Sequence, residues 1–490
     1  MTPLALVPSA FLALALSAGA PTAVQPTGGE AEATPLERAL ESITPENIKS
    51  DLYFIASDEM AGRDTPSKGQ RIAARFIRSR LQRLGWEAGT ADGYFHNYEL
   101  SKTVIDEAAT KSSIQAGDKH LPLTFGSDYA FSMRGGALEA KGDMIFAGTL
   151  ADEEMQDIDV EGKWLVVRQA EKSTWPLMRK AREKKALGLV FVPGEARDAA
   201  AMQAECESLA VSARKGRVGR GGGSSRRAPF PLAFMTEAGF QRVQELGGST
   251  GLEIGKSLGV ELHDVRAVDD TQKEELENVC GIWRGSDPLL SNEVIILSAH
   301  YDHVGVSSNG DVFNGADDNG SGTCGLLAVA EAITNYGPMS RTVMLIWVSG
   351  EEKGLLGSRA WTENPWLPEG MKAVCNINID MIGRNAGDSL LITPTSEHDA
   401  YNGLTRVAEK HCESEGFAEL GSADAYWGRS DHANFSKNME IPVAFLFSDI
   451  HEDYHKVTDT PDKIDYDKIS RVTRLVVRML DDLQSETLDL

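Results

Sequence analysis

The sequence predicts an α/β protein: a mixed, mostly parallel central sheet covered by helices on both faces, with an inserted β-rich block. Three observations predict it. Residues 294–299, 343–348, 374–379 and 443–447 are short runs with apolar side chains on both faces, the pattern of strands buried on both sides. Helical patterns at 320–333 and from 354 alternate with them, as crossover connections require. Between 119 and 258 the spacing changes to short apolar runs at 142–148, 163–168 and 187–192, which suit a separate small β-rich unit.

The first region, 42–89, reads as helical. Thr44-Pro45-Glu46-Asn47 is a cap with proline just inside. From Gly69 to Leu81 the spacing puts Ile72, Phe76 and Leu81 near one face, and Gly85 ends the helix. Residues 58–69 read as a polar loop. Further helices are expected at 175–185 and 236–246. Residues 211–227 hold six Arg or Lys residues and a Gly-Gly-Gly-Ser-Ser run, and read as a surface loop.

The 490 residues allow two or three domains. Acidic residues (73) outnumber basic ones (49), giving a formal charge of −24, which repels nucleic acid and anionic membranes. The five cysteines show no paired spacing; they read as small buried side chains with at most one disulfide. Residues 4–18 are almost wholly apolar, and Ala18-Gly19-Ala20 has the small-x-small form of a signal-peptidase site. The expected layout is a signal peptide over 1–20 and a linker over 21–34, with a secreted or periplasmic mature chain that does not remain in the membrane. There is no second run of 18 apolar residues.

The predicted strands end in residues that bind metal. One runs into His300-Tyr301-Asp302-His303, the next into Glu351-Glu352, a third into Asp380, and the last apolar run is followed by His451 and His455. The loop Gly315-Ala316-Asp317-Asp318-Asn319-Gly320 precedes a helix. Sites of such sheets lie outside the carboxyl ends of the strands. Imidazole and carboxylate suit zinc, and two ions sharing a bridging carboxylate need about five protein ligands. One of the adjacent glutamates can ligate while the other acts as general base. Asp302 can orient the His300 ring.

Residues 298–305, 315–322, 349–354, 378–383 and 454–460 together resemble motifs of the co-catalytic zinc aminopeptidases, peptidase family M28, a group of secreted bacterial leucyl-type enzymes. The likeness covers roughly 274–483. Residues 52–85, with Ser57-Asp58-Glu59-Met60-Ala61-Gly62-Arg63, resemble the start of such enzymes, and 120–258 resembles their protease-associated insert. The resemblance implies the zinc exopeptidase fold, with 35–119 and 259–490 forming the catalytic domain. It implies two zinc ions, one on His300 and Asp380, the other on Glu352 and His455, with Asp317 bridging and a strained peptide bond at Asp317-Asp318. It makes Glu351 the general base, Asp302 a support and Tyr454 a donor to the oxyanion. His303 is expected outside the ligand set, His455 is preferred to His451, and Asp459 buttresses the His455 loop. Ser430-Asp431-His432 shapes the pocket.

The implied reaction is hydrolysis of amino-terminal residues from peptides with free amino termini, by a water between the metals assisted by Glu351. The alternatives are a carboxypeptidase of the same fold, with Arg384, Arg429 or Arg359 taking the substrate carboxylate, and a glutaminyl cyclase. A receptor ectodomain would lack ligands or base.

Overall fold

Strand 293–300 shows why the central sheet is two-sided. Its residues alternate: Ile295, Leu297 and Ala299 enter one core, Val294 and Ile296 another. Thr342–Val348 does the same, with Val343, Leu345 and Trp347 on the first side and Met344, Ile346 and Val348 on the second. Every one of these side chains is buried. The structure, a computed structural model, describes residues 33–490 except 134–135, 154–157, 171–172, 220–229, 250, 308 and 489. The signal-peptide reading therefore lies outside the described residues. No helix among the described residues is long and apolar enough to cross a membrane.

The first sheet has ten strands. Its centre is parallel: Val443–Phe447, Lys372–Ile379, Glu293–His300 and Thr342–Val348 lie side by side. Toward one edge Val268–Trp283 and Phe95–Ile105 add as a long antiparallel pair, followed by Arg217–Gly219. Toward the other edge come Leu391–Thr393, antiparallel, and Gly421–Ser422. The sheet is thus parallel only in its middle. Helices Gly322–Tyr336 and Tyr466–Asp482 pack with Lys68–Arg83 on one face. Trp361 of helix Leu356–Glu363 and Phe435 of helix His432–Met439 fill the other.

The helix expected from Gly69 is present as Lys68–Arg83, capped by Ser67, whose hydroxyl accepts from the Gln70 N–H. Its buried face differs from the expected one. Ala73, Ala74, Ile77 and Leu81 are buried, whereas Ile72 is exposed. The i, i+4, i+8 row is Ala73, Ile77 and Leu81, with Ala74 beside it, and the small alanine side chains let the helix pack closely. Asp58–Arg63, read as loop, is a short 3-10 turn.

The second sheet has eight strands, drawn from residues 113–266, with a parallel centre of Leu138–Phe146, Trp164–Arg168, Gly188–Val192 and Leu232–Met235. It has its own cores, Trp164 and Val190 on one side and Leu165 and Phe191 on the other. Helices Trp175–Glu183 and Glu237–Gly247 match expectation within two residues. Residues 211–219 do not form the expected loop: they complete helix Ala199–Lys215 and strand Arg217–Gly219. The rest of that stretch lies outside the described residues. All of these elements belong to one compact unit, Pro35–Leu490. All five cysteines are buried and free, so no disulfide forms among them.

Candidate metal centre and active site

The carboxyl ends of the parallel strands converge on two groups of donor atoms. His300, Asp318 and Asp380 form one; His303, Asp318, Glu352 and His455 form the other; within each group the atoms lie within 4.8 Å of one another. Asp318 belongs to both.

His300 ends its strand with the Nδ1 nitrogen 3.2 Å from the Asp302 carbonyl oxygen. A carbonyl only accepts, so Nδ1 carries the proton and the Nε2 lone pair faces Asp380 Oδ1 at 3.2 Å and Asp318 Oδ1 at 3.4 Å. The ring is therefore held by the backbone of Asp302, not by its carboxylate, which stands 3.8 Å away. That carboxylate instead accepts from the Thr65 hydroxyl and from the Glu351 N–H. It shapes the turn that carries the two glutamates.

In that turn the adjacent side chains diverge. Glu352 joins the second group: its Oε1 is 3.0 Å from His303 Nδ1 and its Oε2 is 3.1 Å from His455 Nε2. Glu351 lines a pocket that also takes in His300, Asp318 and Asp380, together with Met381, Phe445, Phe447, Ile450 and Tyr454. Desolvation pushes the Glu351 carboxyl well above the usual carboxylate range; His300 opposes this, and Glu352, Asp431 and Asp380 add to it. Asp380 Oδ2 accepts from the Ser430 hydroxyl at 2.7 Å, and Ser430 in turn accepts from Asn378. Thus the loop at 430 orients a donor rather than forming a serine triad.

The aspartate loop corrects the expected register by one residue. Asp317 lies in neither group. Its Oδ1 accepts from the Gly383 N–H at 2.7 Å, and its Oδ2 faces His451 at 3.3 Å. Asp318 points the other way, and the cis peptide bond is Asp318-Asn319, not Asp317-Asp318. Asp459 accepts from the backbone N–H groups of Asp317 and Asp318, so it buttresses this loop rather than the His455 loop. His451 Nε2 stands 3.3 Å from Asp317 Oδ2 without a hydrogen bond, in neither donor group, and His455 reaches Asp318 Oδ2 at 3.0 Å. His303, expected outside the ligand set, stands inside the second group, 3.7 Å from Asp318 Oδ2.

Buried polar atoms test whether metal fits. Both His303 ring nitrogens, Glu352 Oε1 and His455 Nε2 are buried without a hydrogen-bond partner. Asp302, Asp317, Asp318 and Asp380 are buried as well. Such a concentration of desolvated carboxylate is costly unless cations neutralise it. Donor atoms on one tetrahedral zinc at about 2.0–2.2 Å stand about 3.3–3.6 Å apart, close to the spacings between the groups here. The chemistry and spacing of these donors therefore fit metal.

One supporting residue had no role assigned from sequence. Arg63 is fully buried, and its guanidinium donates to the carbonyls of Ile55, Tyr301, Asn314 and Gly315 at 2.7–2.9 Å. It ties the His300 strand end to the aspartate loop. A four-carbonyl grip of this kind leaves no spacing signal. Of the three arginines considered for a substrate carboxylate, Arg384 is paired with Asp453, the Arg359 guanidinium bonds the Gly354 carbonyl, and Arg429 lines the Glu351 pocket.

Residues 278–480 match the model of Peptidase family M28. It is 28% identical over 236 residues to a probable leucine aminopeptidase of Arthroderma benhamiae, covering 45% of this chain and 64% of that protein. It is 31% identical over 196 residues to leucine aminopeptidase 2 of Trichophyton equinum, covering 38% and 35%. The chain thus spans less than two thirds of these relatives. Its fold is that of an aminopeptidase from Aneurinibacillus sp. strain AM-1 (TM-score 0.56, 18% identity, 93% and 97% covered). It is equally that of BSAP, a zinc aminopeptidase from Bacillus subtilis (TM-score 0.56, 16% identity, 91% and 96% covered).

Proposed function

We propose that this chain is a zinc-dependent aminopeptidase that removes amino-terminal residues from peptides. The observation that carries the reading is the pair of donor groups joined at Asp318, with Glu351 aimed past them into a pocket. His300, Asp318 and Asp380 would hold one zinc; Asp318, Glu352 and His455 would hold the other, with His303 as a fourth donor. Bound there, the two ions would supply Lewis-acid charge to the scissile carbonyl and lower the pKa of water.

The chain's own residues do the rest. The raised pKa of Glu351 suits a group that takes a proton from the attacking water and returns it to the leaving nitrogen. The same pocket reaches His300, Asp318 and Asp380, so a peptide terminus seated in it lies against the proposed metal donors. Its far wall of Met381, Phe445, Phe447 and Ile450 fits an apolar first side chain. Burial pushes the Tyr454 hydroxyl up, so it stays protonated and can donate to the charge that develops on the carbonyl oxygen. Its ring stacks on His455 with centroids 3.9 Å apart, which holds that ligand in place.

The block over 120–258 is assigned as a protease-associated insert, supported by a second sheet with separate cores. The apolar leader supports export of the enzyme.

The test is hydrolysis of matched peptides with free and acetylated amino termini, before and after chelation. Free peptides are expected to be cleaved, chelation to abolish turnover and zinc to restore it. Cleavage of the acetylated peptides would overturn the aminopeptidase reading in favour of the carboxypeptidase, with Arg429 as the carboxylate partner.

A further inference from the structure

The two glutamates divide the space around the metal centre. Glu351 lines the pocket with the apolar wall, while Glu352 lines a different cleft of about 390 Å³. One wall of that cleft is Asp64, Thr65 and Lys353 from the first sheet's surroundings. The cleft is also lined by Lys215 and Arg217, where the second block's helix Ala199–Lys215 hands over to the strand Arg217–Gly219.

This segment is fixed rather than loose. Arg217 is in register with Thr103 of the strand Phe95–Ile105. Gly216 sits at φ +81 beside that strand, and a Cβ there would lie 2.4 Å from Val104 Cγ1, so only glycine allows the close approach. Lys215 Nζ donates to Asp64 Oδ2 at 2.8 Å, and Lys353 Nζ pairs in charge with Asp64 Oδ1 at 2.6 Å. One carboxylate thus serves two ammonium groups. Arg217 makes no ion pair among the described residues. With Glu352 committed to metal, the cleft carries a surplus of positive charge in a chain whose formal charge is −24. Such a local reversal selects an anion.

Resting on the proposed reaction, we propose that this cleft binds a carboxylate on the leaving side of the substrate, with Arg217 as its principal contact. If the amino-terminal side chain fills the apolar pocket by Glu351, the chain beyond the scissile bond leaves past Glu352 into the cationic cleft. The carboxylate is either the carboxyl terminus of a short peptide or an acidic side chain near the cut. The enzyme therefore favours short peptides with free carboxyl termini, or acidic residues just after the cleaved bond. The second block contributes this preference directly, through Lys215 and Arg217.

Affinity is measured by calorimetry on the full-length, zinc-loaded Glu351→Gln protein, so the cleft is read whether or not peptide is cleaved. One arm compares leucyl-glycyl-glycine with its amide. The other compares a longer amidated peptide carrying glutamate at the third position with its glutamine counterpart. At least one arm is expected to favour the carboxylate by about tenfold or more, as a charge-assisted contact gives. Adding Arg217→Ala should bring that ratio near one, and Arg217→Lys should keep most of it. Ratios near one in both arms, or a ratio that survives Arg217→Ala, would overturn the proposal. Hydrolysis of leucine p-nitroanilide by the unmutated enzyme tests the reaction separately, because that substrate has no leaving-side carboxylate. Its failure counts against the aminopeptidase reading, while the affinity ratios alone decide whether the cleft binds a carboxylate.

Discussion

The two sheets of this protein are built alike and differ in what their strands end with. Each has four adjacent parallel strands at its centre, helices on its faces and a core on either side. In the first sheet the parallel strands run into His300, Glu351-Glu352 and Asp380. In the second they run into Ala147-Gly148, Gln169, Pro193-Gly194 and Thr236. The second sheet's buried charges, Asp264 and Arg266, pair with each other and support packing. The architecture offers a crevice in both cases; only the residues at strand ends make a site of one.

Breaking the first sheet's strand-end chemistry should cost activity and spare the fold, and breaking the second sheet's core should do the reverse. Asp318→Ala removes the donor common to both groups and is expected to reduce peptide hydrolysis to background. Glu351→Gln should lower kcat by about 10²–10⁴-fold while zinc content, read by elemental analysis, stays as in the unmutated protein. Loss of zinc in that variant would contradict the division of labour between Glu351 and Glu352. His303→Asn should weaken zinc binding about 10–100-fold in a chelator competition, the order seen when a metal site loses a supporting group. At the other sheet, Trp164→Ala empties a fully buried indole site and should cost about 3–5 kcal/mol in urea unfolding. Its zinc content should not change.

Much of the fold is legible in the sequence because two-sided strands leave a strong signal. Runs such as 294–299 are apolar on both faces, so strand, layer and site end follow together. His300, Glu352, Asp380 and His455 are legible because each stands at the end of such a run or in a motif. Directions within a turn leave no such signal. Asp317 and Asp318 are neighbours of the same chemistry, and only the backbone decides that one faces Gly383 and the other the donor groups. His303 is hidden for a similar reason: its value lies in facing Glu352 across the fold, not in its spacing from His300. On helix Lys68–Arg83 the large apolar residues suggest one face, but the buried face is set by Ala73 and Ala74, whose small side chains carry little weight in an apolar pattern.

The central claim is that one carboxylate, Asp318, joins two metal positions. Zinc content per chain in the unmutated protein, Asp317→Ala and Asp318→Ala tests it most directly. The account predicts about two ions in the unmutated chain. It predicts that Asp317→Ala, whose side chain braces the loop, keeps most of them, and that Asp318→Ala loses both. Full zinc content in Asp318→Ala, with loss in Asp317→Ala, would contradict it.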